Sequence, residues 1–310
     1  MQMAKDRPLQ SDILLLITSA IWGFSFVAQR VGMQYIPPFT FNAIRFALGA
    51  LLILSVITLW KRGIRPGEEH TLLEKDPTPR SALLLKGIVL GLILFAGASL
   101  QQTGIVYTTA GKAGFITGLY VILVPIIGLL FKSKPGRYTW IGAALATVGL
   151  YLLSFKGPFS IVLGDSLVLA GAFFWALHVI AVGAFSKRMD PFFLAFTQFA
   201  VCSALSAISA IVFEDTSFAA VRAAAWSILY SGILSVGVAF TLQVIAQRKA
   251  PPSHAAIIMS LESVFAAVGG WLILDETIPI RGLVGCFLML AGIMASQKAQ
   301  AKSTSLQEPF

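Results

Sequence analysis

The sequence predicts an all-α membrane protein: ten transmembrane helices in two inverted five-helix repeats, with both ends of the chain cytoplasmic. Three observations predict it. First, only 12% of the 310 residues are charged and 57% are hydrophobic, with a mean hydropathy of +0.83. Soluble domains carry about 25% charged residues, and here the apolar residues form runs long enough to span a bilayer. Second, residues 12–32 and 165–185 match at a fixed offset of 153. Asp12 meets Asp165, Leu14 meets Leu167, Trp22 meets Trp175 and Ala28 meets Ala181, and the register continues with Pro38-Phe39 on Pro191-Phe192. Self-similarity at a fixed offset marks a duplicated unit. Third, with the N-terminus inside, 17 of the 23 Lys and Arg fall in cytoplasmic segments and 4 in outer connections. That asymmetry sets orientation and requires an even number of spans.

The spans read in order as 12–32, 39–60, 82–107, 113–131, 138–154, 164–185, 191–213, 223–247, 253–274 and 279–296. Each is near the 17–25 apolar residues, roughly, that cross a bilayer as a helix. Pro37-Pro38, Pro135-Gly136, Gly157-Pro158, Asp190-Pro191, Pro251-Pro252 and Pro279 punctuate them. The first run lacks a small-residue cleavage site and reads as a retained helix. Pro125 is expected to interrupt the fourth span, because it frees the carbonyl one turn earlier. Gly87/Gly91 and Gly114/Gly118 are small-residue pairs suited to close helix approach.

Segment 1–11 is read as a cytoplasmic N-terminus, 12–156 as the first repeat, 157–296 as the second, and 297–310 as a polar, disordered tail. Residues 61–81, which include His70, form a cytoplasmic linker. Five spans per repeat is an odd number, so the second copy enters the membrane from the opposite face. That inverted arrangement is common among secondary transporters.

Trp22-Gly23-Phe24-Ser25-Phe26, Phe41-Asn42-Ala43-Ile44-Arg45, Ser260-Leu261-Glu262-Ser263-Val264-Phe265-Ala266 and Leu274-Asp275-Glu276 carry a family resemblance, with Gly142 and Gly149 echoed by Gly285 and Gly292. Together they resemble the drug/metabolite transporter superfamily, specifically its EamA-type ten-helix members, over nearly the whole chain. Ser263 stands where members often have Pro, and Lys132-Ser133-Lys134 replaces an acidic helix end. The resemblance implies a cavity between the first, third, fourth, sixth, eighth and ninth helices. It also implies export of small metabolites such as amino acids, or of drugs, by proton-coupled or exchange transport.

Polar groups inside the spans are the candidate site, because an intramembrane charge costs about 2.5–3.5 kcal/mol on insertion scales. Glu262 is expected to face the cavity and carry a proton or pair with a cationic substrate group; an interhelical hydrogen bond is the competing role. Arg45 suits a substrate carboxylate, with snorkelling or an inter-helix ion pair as the competing role, whereas Arg30 is read as snorkelling or ion-paired. Trp22, Ser25, Phe26 and Gln29 share one helix face, as do Trp175 and His178. Gln102, Gln243 and Tyr120 complete the substrate-binding candidates, with Gln101 beside them, and packing is the alternative for each. Lys112 is read as an exposed helix cap, with lining the exit as the alternative, and Asp275 and Glu276 as boundary groups.

The chain has three His and two Cys, too few and too scattered for a metal site or a disulfide framework. No metal, cofactor or catalytic residue is expected, and the chain is not read as an enzyme. The net charge of +9 is assigned to cytoplasmic loops, not to nucleic acid. The expected partners are a small-molecule substrate and the lipid bilayer, with proton coupling and a monomer or homodimer left open. The expected location is the cytoplasmic (inner) cell membrane. A nucleotide-sugar or nucleoside-type carrier and a non-transporting receptor or scaffold remain alternatives.

Overall fold

The computed structural model describes residues 6–61, 80–154, 162–274 and 280–305. His70, Asp275, Glu276 and most of the 61–81 linker lie outside them. The first half contains α1 (Asp6–Gly32), α2 (Pro38–Lys61), α3 (Arg80–Tyr107), α4 (Ala110–Gly118), α5 (Tyr120–Leu130) and α6 (Arg137–Ser154). The second contains α7 (Leu163–Phe185), α8 (Pro191–Phe213), α9 (Phe218–Ala223), α10 (Ala225–Leu229), a π-helical segment (Tyr230–Phe240), α11 (Thr241–Gln247), α12 (Pro252–Met259), α13 (Glu262–Leu274) and α14 (Ile280–Ser305). Among the described residues nine helical segments are long and apolar enough to cross a membrane. The remaining expected span, α6, is helical but opens on the polar run Arg137-Tyr138-Thr139.

Two expectations are corrected. The fourth span is broken at Leu119, whose N–H turns back to Ile116, while Pro125 sits inside α5. The tight turn after Gly118 takes up the change of direction six residues before the proline. The tail is helical to Ser305. Its Gln, Lys and Ala residues are good helix formers and extend an existing helix without a new nucleation cost.

Close contacts fix the relative direction and register of several helices. Gly142 approaches Gly292 and Gly149 approaches Gly285, so α6 and α14 run antiparallel. Gly87 lies against Thr197 and Gly91 against Val201, so α3 and α8 run parallel. Gly23 meets Phe265, and Gly269 meets Val27, so α1 runs parallel to α13. The halves interlock in matched pairs: α2 on α8, α6 on α14, α1 on the π segment as α7 on α3, and α1 on α13 as α7 on α4 and α5. Large apolar side chains such as Ile211, Phe213, Leu130 and Phe287 are exposed on the outside, the surface a lipid-facing bundle presents.

A Cβ on Gly149 would lie 2.5 Å from the Gly285 carbonyl oxygen. Gly149→Leu is therefore expected to cost about 1–3 kcal/mol by overpacking, read as a lowered unfolding temperature in detergent. Gly111, with open space at its Cβ position, should accept Ala without loss.

Candidate functional site

The helix breaks and the matched packing leave a narrow central cavity of about 40 Å³. Trp22, Phe26 and Gln29 of α1 form one wall, and Trp175, His178 and Val179 of α7 form another. Arg45, Gln101, Thr117 and Tyr120 enter from α2, α3, α4 and α5, while Ser235, Phe240, Gln243 and Glu262 enter from the second half. Arg45 brings in the second span, outside the helix set that the resemblance implied.

Eight of the ten residues singled out in the sequence share this one space: Trp22, Gln29, Arg45, Tyr120, Trp175, His178, Gln243 and Glu262. Ser25 stands behind the wall, accepting a hydrogen bond from Gln29 Nε2 at 3.1 Å. Gln102 is buried away from the cavity with neither amide atom partnered; Gln101 takes its place. Neighbouring residues on an α-helix point about 100° apart, so the choice between them depended on helix rotation. Gln101 Oε1 accepts from Trp175 Nε1 at 2.8 Å and from Thr117 Oγ1 at 3.3 Å, and its amide donates to Gln29 Oε1 at 3.3 Å. This network ties α1, α3, α4 and α7 together around the cavity.

Phe240 is the central ring. Its centroid lies 4.6 Å from that of Trp22, 5.9 Å from Trp175 and 5.8 Å from His178, with Phe46 and Phe199 behind it. No polar signal marked it in the sequence. It closes the π-helical segment, an arrangement concentrated at functional positions. The Ser235 carbonyl in the same segment accepts from Trp22 Nε1 at 3.2 Å.

The charged groups are held differently. Arg45 Nε donates to Asn42 Oδ1 at 2.9 Å, and its guanidinium lies over Phe46 at 4.9 Å and Phe41 at 5.5 Å. Among the described residues it has no acidic partner. The rings offset part of the cost of burying its charge. Glu262 opens α13 after the turn at Ser260-Leu261, where the helix N-terminus favours a carboxylate. Tyr120 opens α5 after the equivalent break, and its hydroxyl faces the Glu262 carboxyl. Among the described residues, four cavity-lining atoms lack a well-formed hydrogen bond: Tyr120 Oη, Glu262 Oε1, His178 Nδ1 and Gln243 Oε1. The other His178 nitrogen pairs with Gln198 Oε1 at 2.8 Å. Gln243 donates to Gln247 Oε1 at 2.9 Å.

Two basic residues lie elsewhere than expected. Arg30 donates to the Ile105 and Val106 carbonyls at 2.7 and 3.1 Å, tethering α1 to the end of α3 where snorkelling or an ion pair was foreseen. Lys112 is paired with Asp165 at 3.4 Å, so it is more than an exposed cap. Ser263, placed where the resemblance suggested Pro, donates to the Gly114 carbonyl at 2.9 Å. Among the described residues no three His, Cys, Asp or Glu are grouped to hold a metal.

The described helices form a membrane-type bundle around a polar, aromatic cavity. The chain belongs to the EamA-like transporter family, whose profile matches residues 9–155 and again 162–296. It is 32% identical over 289 residues to an uncharacterized transporter of Archaeoglobus fulgidus, covering 93% of this chain and 86% of that one. It is 26% identical over 306 residues to the threonine/homoserine exporter RhtA of Escherichia coli, covering 96% and 94%. A solved structure with 18% identity superposes with a TM-score of 0.74 over 96% of this chain and 99% of its own, which shows the shared fold.

Removing the central ring tests how the cavity is held. Phe240→Ala is expected to destabilise the protein by about 3–5 kcal/mol, read by thermal unfolding in detergent, with Phe240→Leu losing much less.

Proposed function

We propose that this protein is a secondary transporter that exports a small zwitterionic metabolite of amino-acid type by alternating access through the central cavity. The observation that carries this reading is the pairing of opposite charges in one largely apolar space. Arg45 supplies a guanidinium with no acidic partner among the described residues, and Glu262 supplies a carboxyl with an unpartnered oxygen. A substrate carboxylate fits the first as a charge-assisted, two-pronged contact. A substrate ammonium fits the second, with the Tyr120 hydroxyl beside it. Trp22, Trp175 and Phe240 then enclose the side chain and exclude bulk water. A buried charge is stable only when it is paired, so a zwitterion answers both groups at once.

The name of RhtA, a threonine/homoserine exporter, supports the amino-acid class and the direction. Two repeats of five spans, inverted relative to each other, suit alternating access, and the double match of the family profile is consistent with that duplication. The excess of Lys and Arg in alternate connections supports cytoplasmic termini in the cell membrane. Between substrates, Glu262 is the group suited to take a proton, which would couple export to a proton gradient.

Counterflow in proteoliposomes tests the reading. Labelled threonine or homoserine should exchange against the unlabelled compound. Arg45→Gln should weaken zwitterion exchange about tenfold or more, the loss expected for one charge-assisted hydrogen-bonded contact, while sparing amines that lack a carboxylate. Glu262→Gln should weaken exchange of both. If folded protein exchanges nucleosides but no amino acid, the nucleoside-type carrier replaces this reading.

A further inference from the structure

Asp12 and Asp165 hold the same place in the opening helix of each half, 153 residues apart. Each meets a base from the other half. Asp12 Oδ1 lies 2.8 Å from His254 Nε2, and Asp165 Oδ2 lies 3.4 Å from Lys112 Nζ. Lys112 and His254 are separated by 142 positions, as are Tyr120 and Glu262, the residues that open α5 and α13 after the helix breaks. Both pairs therefore join the first helix of one half to the broken helix of the other, at matching positions.

The pairs sit at opposite faces. Asp12 is near the start of α1, at the face where α1 begins. Lys112 follows the end of α3, one crossing away. Eight residues beyond each base, about two helical turns, stand Tyr120 and Glu262 in the cavity wall, so the cavity lies between the pairs. Both pairs are buttressed. His254 Nδ1 meets Ser296 Oγ at 2.9 Å, and Gln297 Nε2 donates to the other Asp12 oxygen at 3.3 Å. Thr108 Oγ1 and the Val162 N–H donate to Asp165 at 2.6 and 3.2 Å. Beside the Asp12–His254 pair a second cavity of about 490 Å³ opens, and His254 and Ser296 line it together with Lys134 and Arg137.

From this placement we propose that Asp12–His254 and Asp165–Lys112 are the two gates of the transport cycle. The proposal rests on the alternating-access reading given above. Both gates are closed in this structure. Opening towards one face separates α1 from α12 and breaks the first pair while the second holds; opening towards the other separates α7 from α4 and does the reverse. The four residues are positioning residues, since none of them lines the central cavity. Losing one pair should bias the protein towards the face that pair closes.

A reporter in the central cavity reads that bias. Ser235→Cys, in full-length protein with Cys202→Ala and Cys286→Ala, is labelled by a membrane-impermeant maleimide in vesicles of each orientation. The readout is the ratio of labelling rates from the two faces. Asp12→Asn should raise the ratio towards the face where α1 begins by about threefold or more, the population shift expected from losing a partly buried hydrogen bond to a carboxylate. Asp165→Asn should move it by a similar factor the other way. His254→Gln and Lys112→Gln, the opposite members, should reproduce these shifts and serve if an Asp variant does not fold. The exchange Asp12→His with His254→Asp should return the ratio towards that of the parent. Shifts in the same direction for both pairs, or an unchanged ratio, overturn the gates and leave alternating access standing. A parent reporter labelled from one face only overturns alternating access itself, and the gates with it.

Discussion

Hydrocarbon offers no hydrogen-bond partner, and every polar side chain on a transmembrane helix must find one inside the protein or line a space that water and solutes can occupy. This constraint organises the molecule. Gln29, Gln101, Thr117 and Trp175 satisfy one another across four helices. Arg30 satisfies carbonyls left open at the end of α3. Among the described residues Arg45, Glu262, Tyr120 and His178 find only part of their partners, and all four converge on one cavity. Convergence of incompletely partnered polar groups in an apolar setting is the physical mark of a binding site.

The helix breaks at Leu119 and at Ser260-Leu261 make that convergence possible. A continuous helix carries its polar termini to the membrane surface. A broken one brings a helix start to mid-depth, where its free N–H groups favour negative charge. Glu262 and Tyr120 stand at the two starts and approach each other across the cavity. The π-helical segment gives the eighth span its own departure from regular α geometry, and Phe240 and Ser235 face the same space from it. Irregular backbone is thus confined to the helices around the cavity. By contrast, α6 and α14 are regular and pack through glycines at the periphery.

Membership of the EamA-like family makes the chain a transporter, and the geometry sharpens the question of what it carries. A guanidinium and a carboxyl in one aromatic cavity define a two-point recognition problem. The Asp12–His254 and Asp165–Lys112 pairs add the matching question of access. The two pairs are equivalent in position but not in chemistry. One base is an imidazole closed in by Ser296, and the other is a flexible lysine about one-third exposed. Two halves of common origin therefore need not open with equal ease.

Composition and pattern alone determined that this chain is a helical membrane protein built from a repeated unit. Apolar run length and charge placement are local properties that survive unrolling into a sequence. The same logic picked out Trp22, Gln29, Arg45 and Glu262, because a polar or charged residue in an apolar run is conspicuous wherever the helix turns. Only the tertiary structure decided what depends on helix rotation and on partners far along the chain. It chose Gln101 over Gln102, a difference of one position on α3. It placed Phe240, an ordinary apolar residue in an apolar span, at the centre of the cavity. It moved the break from Pro125 to Leu119, and it joined Asp12 to His254 across 242 positions. Long-range pairing depends on how the two halves pack, and no local pattern encodes that distance.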